Sequence, residues 1–208
     1  MNKEELKKYF EELAKQTLCL FVDPKYSKLH LEDKPDLQSL ELNCGIEVRE
    51  CKDEYDGRAD AFLRMYFNKN NDDSFMQDKL KKMKLNSWLY RDSETRGLAF
   101  CAYNGLSDMN QRKMNIAGYI KEKSEKFEEY KKIQVNGLYL FCRWSFEEWD
   151  IKEVIDYISL NNFDVIFFDC MDCIFKYESK NNELCKINYD MVKYSQLLDS
   201  LKHAYCLK

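Results

Sequence analysis

Hydrophobic residues recur at three- and four-residue spacing in several stretches of the chain, which is typical of helices with one buried face. Residues 3–16 show the pattern most clearly, because one face carries Leu6, Tyr9, Phe10 and Leu13. The same spacing predicts helices over 57–68, 107–132 and 189–204. A further helix is predicted from Ser145, which begins the capping pattern Ser145-x-x-Glu148.

Short apolar runs between these segments predict β-strands. The predicted strands cover 18–22, 35–41, 45–51, 97–103, 137–143, 163–168 and 173–177. Residues 69–96 show no regular pattern, and the chain contains neither an internal repeat nor a Pro- or Gly-rich linker. The alternation of helices and strands predicts a single α/β domain over 1–208, in which helices cover both faces of a mixed β-sheet.

Composition narrows the class of protein. The chain has 208 residues, 45% of them hydrophobic, and is long enough to bury a core. No stretch approaches the roughly 18 to 20 apolar residues of a membrane span, and the N-terminus reads as a charged helix rather than a secretory signal. We therefore expect a cytoplasmic protein with no membrane partner. The nine cysteines, an odd number, are expected to be reduced and mostly buried.

The segment 34–51 carries the candidate chemistry. If its two predicted strands pair as an antiparallel hairpin, two registers are open. A two-residue turn at Asn43-Cys44 places Asp36 and Glu47 four residues apart on one face, or roughly 13 Å. A four-residue loop at 40–43 places them directly opposite each other, with β-carbons about 5 Å apart. Only the second register forms a metal site.

In both registers Gln38 and Arg49 lie on the same face as Asp36 and Glu47. Two converging carboxylates suit Mg²⁺, with Mn²⁺ as a substitute, because hard cations prefer oxygen ligands and keep waters for a phosphate and a nucleophile. Arg49 would then offset the charge that builds on the scissile phosphate.

Pro35-Asp36, followed after ten residues by Glu47-Val48-Arg49, resembles the core motif of the PD-(D/E)XK nuclease superfamily, the fold of many restriction endonucleases. The resemblance covers about residues 1–70. It implies a restriction-endonuclease-like core over about 1–70 and 98–145, with helix and strand additions over 145–208. It also implies metal-dependent cleavage of DNA or RNA, with Asp36 and Glu47 as metal ligands. Some members draw a further acid from the first helix, and Glu12 is the nearest candidate.

The family usually carries lysine where Arg49 stands, and arginine cannot release a proton at working pH. Some members move the lysine to a following helix. Lys113 and Lys123 border the apolar stripe of the helix predicted over 107–132. If neither lysine reaches the carboxylates, we expect a protein that binds nucleic acid without cutting it.

Two other patterns carry weaker predictions. Lys81 and Lys82 lie in a basic stretch before two aromatic residues, which indicates either contact with a nucleic-acid backbone or a solvated helix end. The net charge of −4 argues against a wholly basic surface but leaves room for such a local groove. Cys170-x-x-Cys173 has strand-like flanks that point the two thiols to opposite faces unless a tight turn joins them, so Zn²⁺ is not expected.

The leading hypothesis is a Mg²⁺-dependent nuclease, or a nuclease-fold protein that binds nucleic acid, of the kind used in phage or bacterial defence. The alternative is a non-enzymatic protein-interaction module, such as a small phage or microbial inhibitor or adaptor with an acidic surface. In that case Asp36 caps a turn, while Glu47 and Arg49 form a solvated ion pair. A lysine of the long helix beside the carboxylates favours the first hypothesis, and an acidic cluster open to solvent favours the second.

Overall fold

The fold is described from a computed structural model. It describes residues 3–52, 54–67, 72–85, 87–91, 98–102, 109–130, 133–142, 144–158 and 161–205. The chain divides into two compact units, a larger one formed by Met1–Cys51 with Lys113–Lys208 and a smaller one formed by Lys52–Arg112. The smaller unit is therefore inserted into the sequence of the larger one.

The regular elements are numbered along the chain. The helices α1 to α6 are Lys3–Thr17, Glu54–Phe62, Asp73–Lys82, Met109–Glu125, Glu148–Tyr157 and Met191–Ala204. The strands β1 to β9 are His30–Leu31, Leu37–Ser39, Cys44–Glu50, Ser87–Arg91, Leu98–Ala102, Val135–Phe141, Val165–Cys170, Cys173–Glu178 and Glu183–Asn188. No helix in the described ranges is long and apolar enough to cross a membrane.

The larger unit is built on one seven-stranded mixed sheet with the order β1-β2-β3-β6-β7-β8-β9. Strands β3, β6 and β7 run parallel, and antiparallel strands extend the sheet on both sides. The mixed α/β fold predicted from the sequence is confirmed.

Alternation along the central strands creates two cores, one on each face of the sheet. Leu138 and Leu140 of β6 pack in a cluster that includes residues of α4 and α5. Tyr139 and Phe141 pack on the other face, in a cluster that includes residues of α1 and α6. Because both faces are covered, β6 and β7 read in the sequence as nearly continuous apolar runs.

The smaller unit contains α2, α3 and the antiparallel hairpin β4–β5. Its own small core includes Phe62, Met76 and Leu80. The sequence pattern gave no regular structure over 69–96, and this was wrong for α3 and β4. Asp72 caps α3 by accepting a hydrogen bond from Ser74 N at 2.7 Å.

The apolar run Leu18–Val22 is a π-helical turn that continues α1, and its prediction as a strand was wrong. Leu18 is fully buried there, and its carbonyl accepts a hydrogen bond from Asp23 N at 3.0 Å. A short run of apolar residues fits either a strand or a buried helical turn, so periodicity alone could not choose between them.

A helix cap, a helix end and a strand also differ from the sequence prediction. The capping box of α5 is formed by Glu147 and Asp150 rather than by Ser145 and Glu148. The long helix α4 ends at Glu125, before the predicted 132. Strand β9 was not predicted.

Candidate functional site

The hairpin β2–β3 adopts the register with the four-residue loop. Leu37 lies opposite Ile46, and Gln38 lies opposite Gly45. One step further along the same ladder, Asp36 comes opposite Glu47. The structure therefore contains the one of the two registers that brings the carboxylates together.

Local contacts explain why the loop at 40–43 closes in this way. Ser39 Oγ accepts a hydrogen bond from Leu42 N at 3.2 Å, and Asn43 adopts a left-handed conformation with φ of 44°. Asparagine tolerates this conformation better than most residues. At Gly45, a β-carbon would lie 2.5 Å from Pro35 Cγ and would overlap the side chain of Ile133. The absence of a side chain at Gly45 thus lets Pro35 pack against the hairpin immediately before Asp36.

Asp36 is fixed by both β3 and α1. Its Oδ2 accepts a hydrogen bond from Val48 N at 2.9 Å. Its Oδ1 lies 2.9 Å from Nζ of Lys7, and the Asp36 side chain is only 7% exposed. Burial would lower the pKa of Lys7, but the hydrogen bond and the charge of Asp36 outweigh burial and raise it above its usual value.

Glu47 is held from the opposite side by α4. Lys123 Nζ forms an ion pair with Glu47 Oε1, and the two side chains are 15% and 8% exposed. Burial is the largest influence on Glu47 and raises its pKa, the charge of Asp36 raises it further, and Lys123 opposes both. Tyr130 lies nearby, and burial together with the charge of Glu47 raises the pKa of its hydroxyl.

A third carboxylate, Glu11, comes from α1. Its Oε1 lies 3.3 Å from Lys7 Nζ but is buried and lacks a well-aligned hydrogen-bond donor. Burial and the neighbouring charge of Asp36 both raise the pKa of Glu11. Glu12, the acid expected from the sequence, instead accepts a hydrogen bond from Gln16 Nε2 at 2.7 Å.

Gln38 and Arg49 have different surroundings. Gln38 Nε2 donates hydrogen bonds to Pro35 O at 2.9 Å and Asp33 O at 3.3 Å, so its amide supports the segment that precedes Asp36. The Arg49 guanidinium lies over the ring of Tyr119 with 4.9 Å to the centroid. Both Tyr119 and Lys123 belong to α4, so Arg49 is held along the same helix that supplies the lysine.

The remaining predicted contacts lie elsewhere. Lys113 is buried and pairs with Asp150 at 3.4 Å and Glu153 at 2.5 Å, so the structure does not bring it to the carboxylates. Lys81 and Lys82 are exposed in the last turn of α3, in the smaller unit.

The Cys-x-x-Cys motif forms a tight turn. Cys170 lies directly opposite Cys173 across the hairpin β7–β8, and both are buried free thiols.

The sequence prediction missed Lys7, Glu11 and Tyr130. Lys7 and Glu11 are one helical turn apart on α1, beside the apolar stripe that the periodicity identified. A charged pair that borders a buried stripe was a usable signal. Tyr130 belonged to the apolar stripe of the helix predicted over 107–132, which indicated packing and not a contact with Glu47, and it lies beyond the end of α4.

The cluster brings three carboxylates and two ammonium groups together. Glu11, Asp36 and Glu47 carry one negative charge more than Lys7 and Lys123 can neutralise when all five are ionised. Within the described ranges, no group of three or more His, Cys, Asp or Glu side chains is arranged to hold a metal ion. Mg²⁺ commonly binds through one or two carboxylates and completes its shell with water and substrate phosphates. Asp36 and Glu47 fit that smaller requirement.

Comparisons of the chain with protein-family models, with curated proteins and with solved structures find no match.

Proposed function

We propose that the protein is a Mg²⁺-dependent nuclease of the PD-(D/E)XK type. The observation that carries the proposal is that β2 and β3 pair in the register that brings Asp36 near Glu47, with Lys123 paired to Glu47. The sequence left the register and the source of the lysine open, and the pairing of β2 with β3 and the contact of Lys123 with Glu47 both support the proposal. A restriction-endonuclease-like core in the larger unit belongs to the same proposal.

Asp36 and Glu47 would hold the metal, and the carboxylate of Glu11, whose pKa is raised by burial and by the charge of Asp36, adds negative charge beside them. When bound, Mg²⁺ supplies a Lewis acid for the phosphate and lowers the pKa of a coordinated water. The hydrogen bond from Val48 N fixes the direction of Asp36. Lys7 and Lys123 limit the repulsion between the acids before the metal binds.

Lys123 has the role that the motif lysine has in the PD-(D/E)XK family. Its ammonium group is held at Glu47, where it can orient a water and stabilise negative charge that develops on the reacting phosphate. The guanidinium group of Arg49 contacts a phosphate oxygen beside the reacting one. The exposed lysines of α3, Lys81 and Lys82, contribute to binding of the nucleic-acid backbone.

The protein-interaction hypothesis predicted an acidic cluster open to solvent. Asp36 and Glu47 are instead buried and paired with lysines. The geometry therefore favours the nuclease over the inhibitor or adaptor.

The test combines metal binding with cleavage. Mg²⁺ and Mn²⁺ are titrated into the wild-type protein and into Asp36→Asn, Glu47→Gln and Lys123→Gln, with thermal unfolding as the readout. End-labelled DNA and RNA, single- and double-stranded, are assayed in parallel. We expect the metals to raise the Tm of the wild type and of Lys123→Gln but not of the two carboxylate variants. Cleavage should require the metal and all three residues.

Two matched controls separate the site from general effects. Asp33→Asn and Lys121→Gln change exposed residues close in sequence to Asp36 and Lys123, and both should keep metal binding and cleavage. A wild-type protein that neither responds to Mg²⁺ or Mn²⁺ nor cuts any of the four substrates would refute the nuclease. Partner capture would then test the interaction hypothesis.

A further inference from the structure

A row of acidic and aromatic side chains crosses the sheet at the carboxyl ends of its parallel strands. Glu50 of β3 lies opposite Phe141 of β6, and Phe141 lies opposite Asp169 of β7. In open α/β sheets, this edge is where ligands most often bind. The row is thus an acid, an aromatic ring and a second acid, side by side.

A cavity of about 180 Å³ lies on this row. Phe10 of α1 and Tyr194 of α6 line it together with Glu50, Phe141 and Asp169. Within the part of the chain that the structure describes, its lining contains no lysine, arginine or histidine. Its volume lies below the roughly 300 Å³ at which drug-sized ligand sites begin. The occupant must therefore be small.

Asp169 contributes a buried carboxylate to the lining of the cavity. The side chain is almost fully buried, and each carboxylate oxygen accepts one tyrosine hydroxyl at 2.6 Å, from Tyr139 and from Tyr189. These two neutral donors orient the carboxylate but bring no positive charge to it. Burial raises the pKa of Asp169 to about 7, although the two hydroxyls act to lower it. A nearby cation would therefore stabilise the ionised carboxylate.

We propose that this cavity binds a small organic ammonium ion. The positive charge faces Asp169, and the alkyl groups contact the rings of Phe10, Phe141 and Tyr194. Aromatic faces attract such cations and add to the attraction of the carboxylates. A hydrated metal ion would gain little from these rings, so the aromatic lining selects an organic cation. The proposal does not depend on the nuclease site.

A second cavity, at the amino ends of β6 and β7, provides an internal comparison. It measures about 250 Å³ and is lined by Lys25, Lys176 and Lys180 together with two acids. The two cavities lie at opposite ends of the same strands and differ in charge. An organic cation should therefore choose the cavity at Asp169.

The test compares choline with 3,3-dimethylbutan-1-ol, which replaces the charged nitrogen of choline by a neutral carbon. Both are titrated into the ¹⁵N-labelled full chain at constant ionic strength, and amide shifts are followed by NMR. We expect saturable binding of choline with shifts around Phe10, Phe141 and Asp169. The neutral alcohol should bind about tenfold more weakly, as removal of a cation–π and carboxylate interaction predicts.

Variants locate the interaction. Asp169→Asn should weaken choline binding about tenfold, and Tyr194→Leu should weaken it about fivefold. Lys176→Gln, in the second cavity, should leave it unchanged. Equal affinity for choline and the alcohol, or no saturable binding at tens of millimolar, would overturn the proposal. The comparison of the two ligands uses only the wild-type protein, so it holds even if a variant fails to fold.

Discussion

Two of the places where the larger unit buries carboxylates differ in how the negative charge is compensated. Asp36 and Glu47 are paired with the ammonium groups of Lys7 and Lys123. Asp169 instead receives two tyrosine hydroxyls. The first cluster contains opposite charges, whereas the second contains only a carboxylate and neutral donors.

The two carboxylate sites differ in what opposes the effect of burial on their pKa values. Burial raises the pKa of both Glu47 and Asp169, but only at Glu47 does a lysine oppose it. At Glu47 the ammonium group of Lys123 favours the ionised carboxylate, so the compensating positive charge is already part of the protein. A carboxylate held by hydroxyl groups has a charge that depends on pH and on the arrival of an external cation.

The largest expected effect comes from Asp169→Asn, which keeps the shape of the side chain, cannot ionise and replaces one of the two accepting oxygens by a donor. The folded-state pKa of Asp169 is raised from 3.8 to about 7. Between these values the unfolded state loses its proton first, so wild-type stability falls as pH rises and levels off above the folded pKa. The variant should therefore gain about 4 kcal/mol relative to wild type between pH 4 and pH 8.

Urea denaturation across that pH range measures the difference. Asp156→Asn, at an exposed position of α5, is the control and should follow the wild-type profile. Parallel profiles for Asp169→Asn and wild type would contradict the raised pKa.

The next largest effect is expected for Lys123→Met. Removal of this lysine leaves Glu47 buried without its cation, which should cost about 3 kcal/mol of stability near pH 8. The loss should be smaller at pH 5, where Glu47 takes up a proton more readily. Adding Glu47→Gln should restore more than half of the loss in a double-mutant cycle. A simple sum of the two single losses would show that the pair is not coupled.

A smaller effect is expected for Tyr139→Phe and Tyr189→Phe. Each substitution removes one donor from Asp169 and should cost about 2 kcal/mol. Each should also raise the pKa of Asp169, because the hydroxyl groups favour its ionised form. The control is Tyr177→Phe, whose hydroxyl bonds only to the neutral side chain of Asn182 in the described contacts, and urea denaturation should show a loss of about 1 kcal/mol or less. Equal losses in all three variants would contradict a special role for the Asp169 pair.

The smallest effect on stability is expected for Lys7→Gln. The Lys7 side chain is 54% exposed, so solvent screens its ion pair with Asp36 and the loss should stay below about 1 kcal/mol. Under the nuclease proposal the same change removes a competing cation, and Mn²⁺ should stabilise the variant at several-fold lower concentration. A thermal-shift titration checks both expectations, and weaker Mn²⁺ binding would contradict the second.

The sequence predicted most of the larger unit because its elements carry strong periodic signals. The strands around β6 and β7 are buried on both faces, and α1 has one clear apolar stripe. Strand β9 lacks such a signal, because it lies at the edge of the sheet and only Leu184 and Ile187 of its apolar residues are partly buried. The prediction for Leu18–Val22 was wrong for a different reason, because a short apolar run fits a strand and a buried helical turn equally well.

At the candidate site, the sequence identified the acids but could not choose among their partners. The register depends on the contacts of Gly45 with Pro35 and with Ile133, and Ile133 is distant in sequence. Lys113 and Lys123 both border the stripe of α4. Helix α5 decides between them, because it presents Asp150 and Glu153 to the first lysine. Tertiary contacts of this kind cannot be predicted from the spacing of residues along one helix.

Because Lys52–Arg112 is inserted into the sequence of the larger unit, the ribosome synthesises the two parts of that unit at different times. The hairpin β2–β3 leaves the ribosome first, so its local pairing can bring Asp36 and Glu47 together early. Synthesis of the inserted unit then takes on the order of ten seconds before α4 brings Lys123 and β6 covers the open edge of β3. A nascent chain thus carries Asp36 and Glu47 before it has Lys123, and a chain that stops within the insertion would lack the positive charge that Lys123 places beside Glu47.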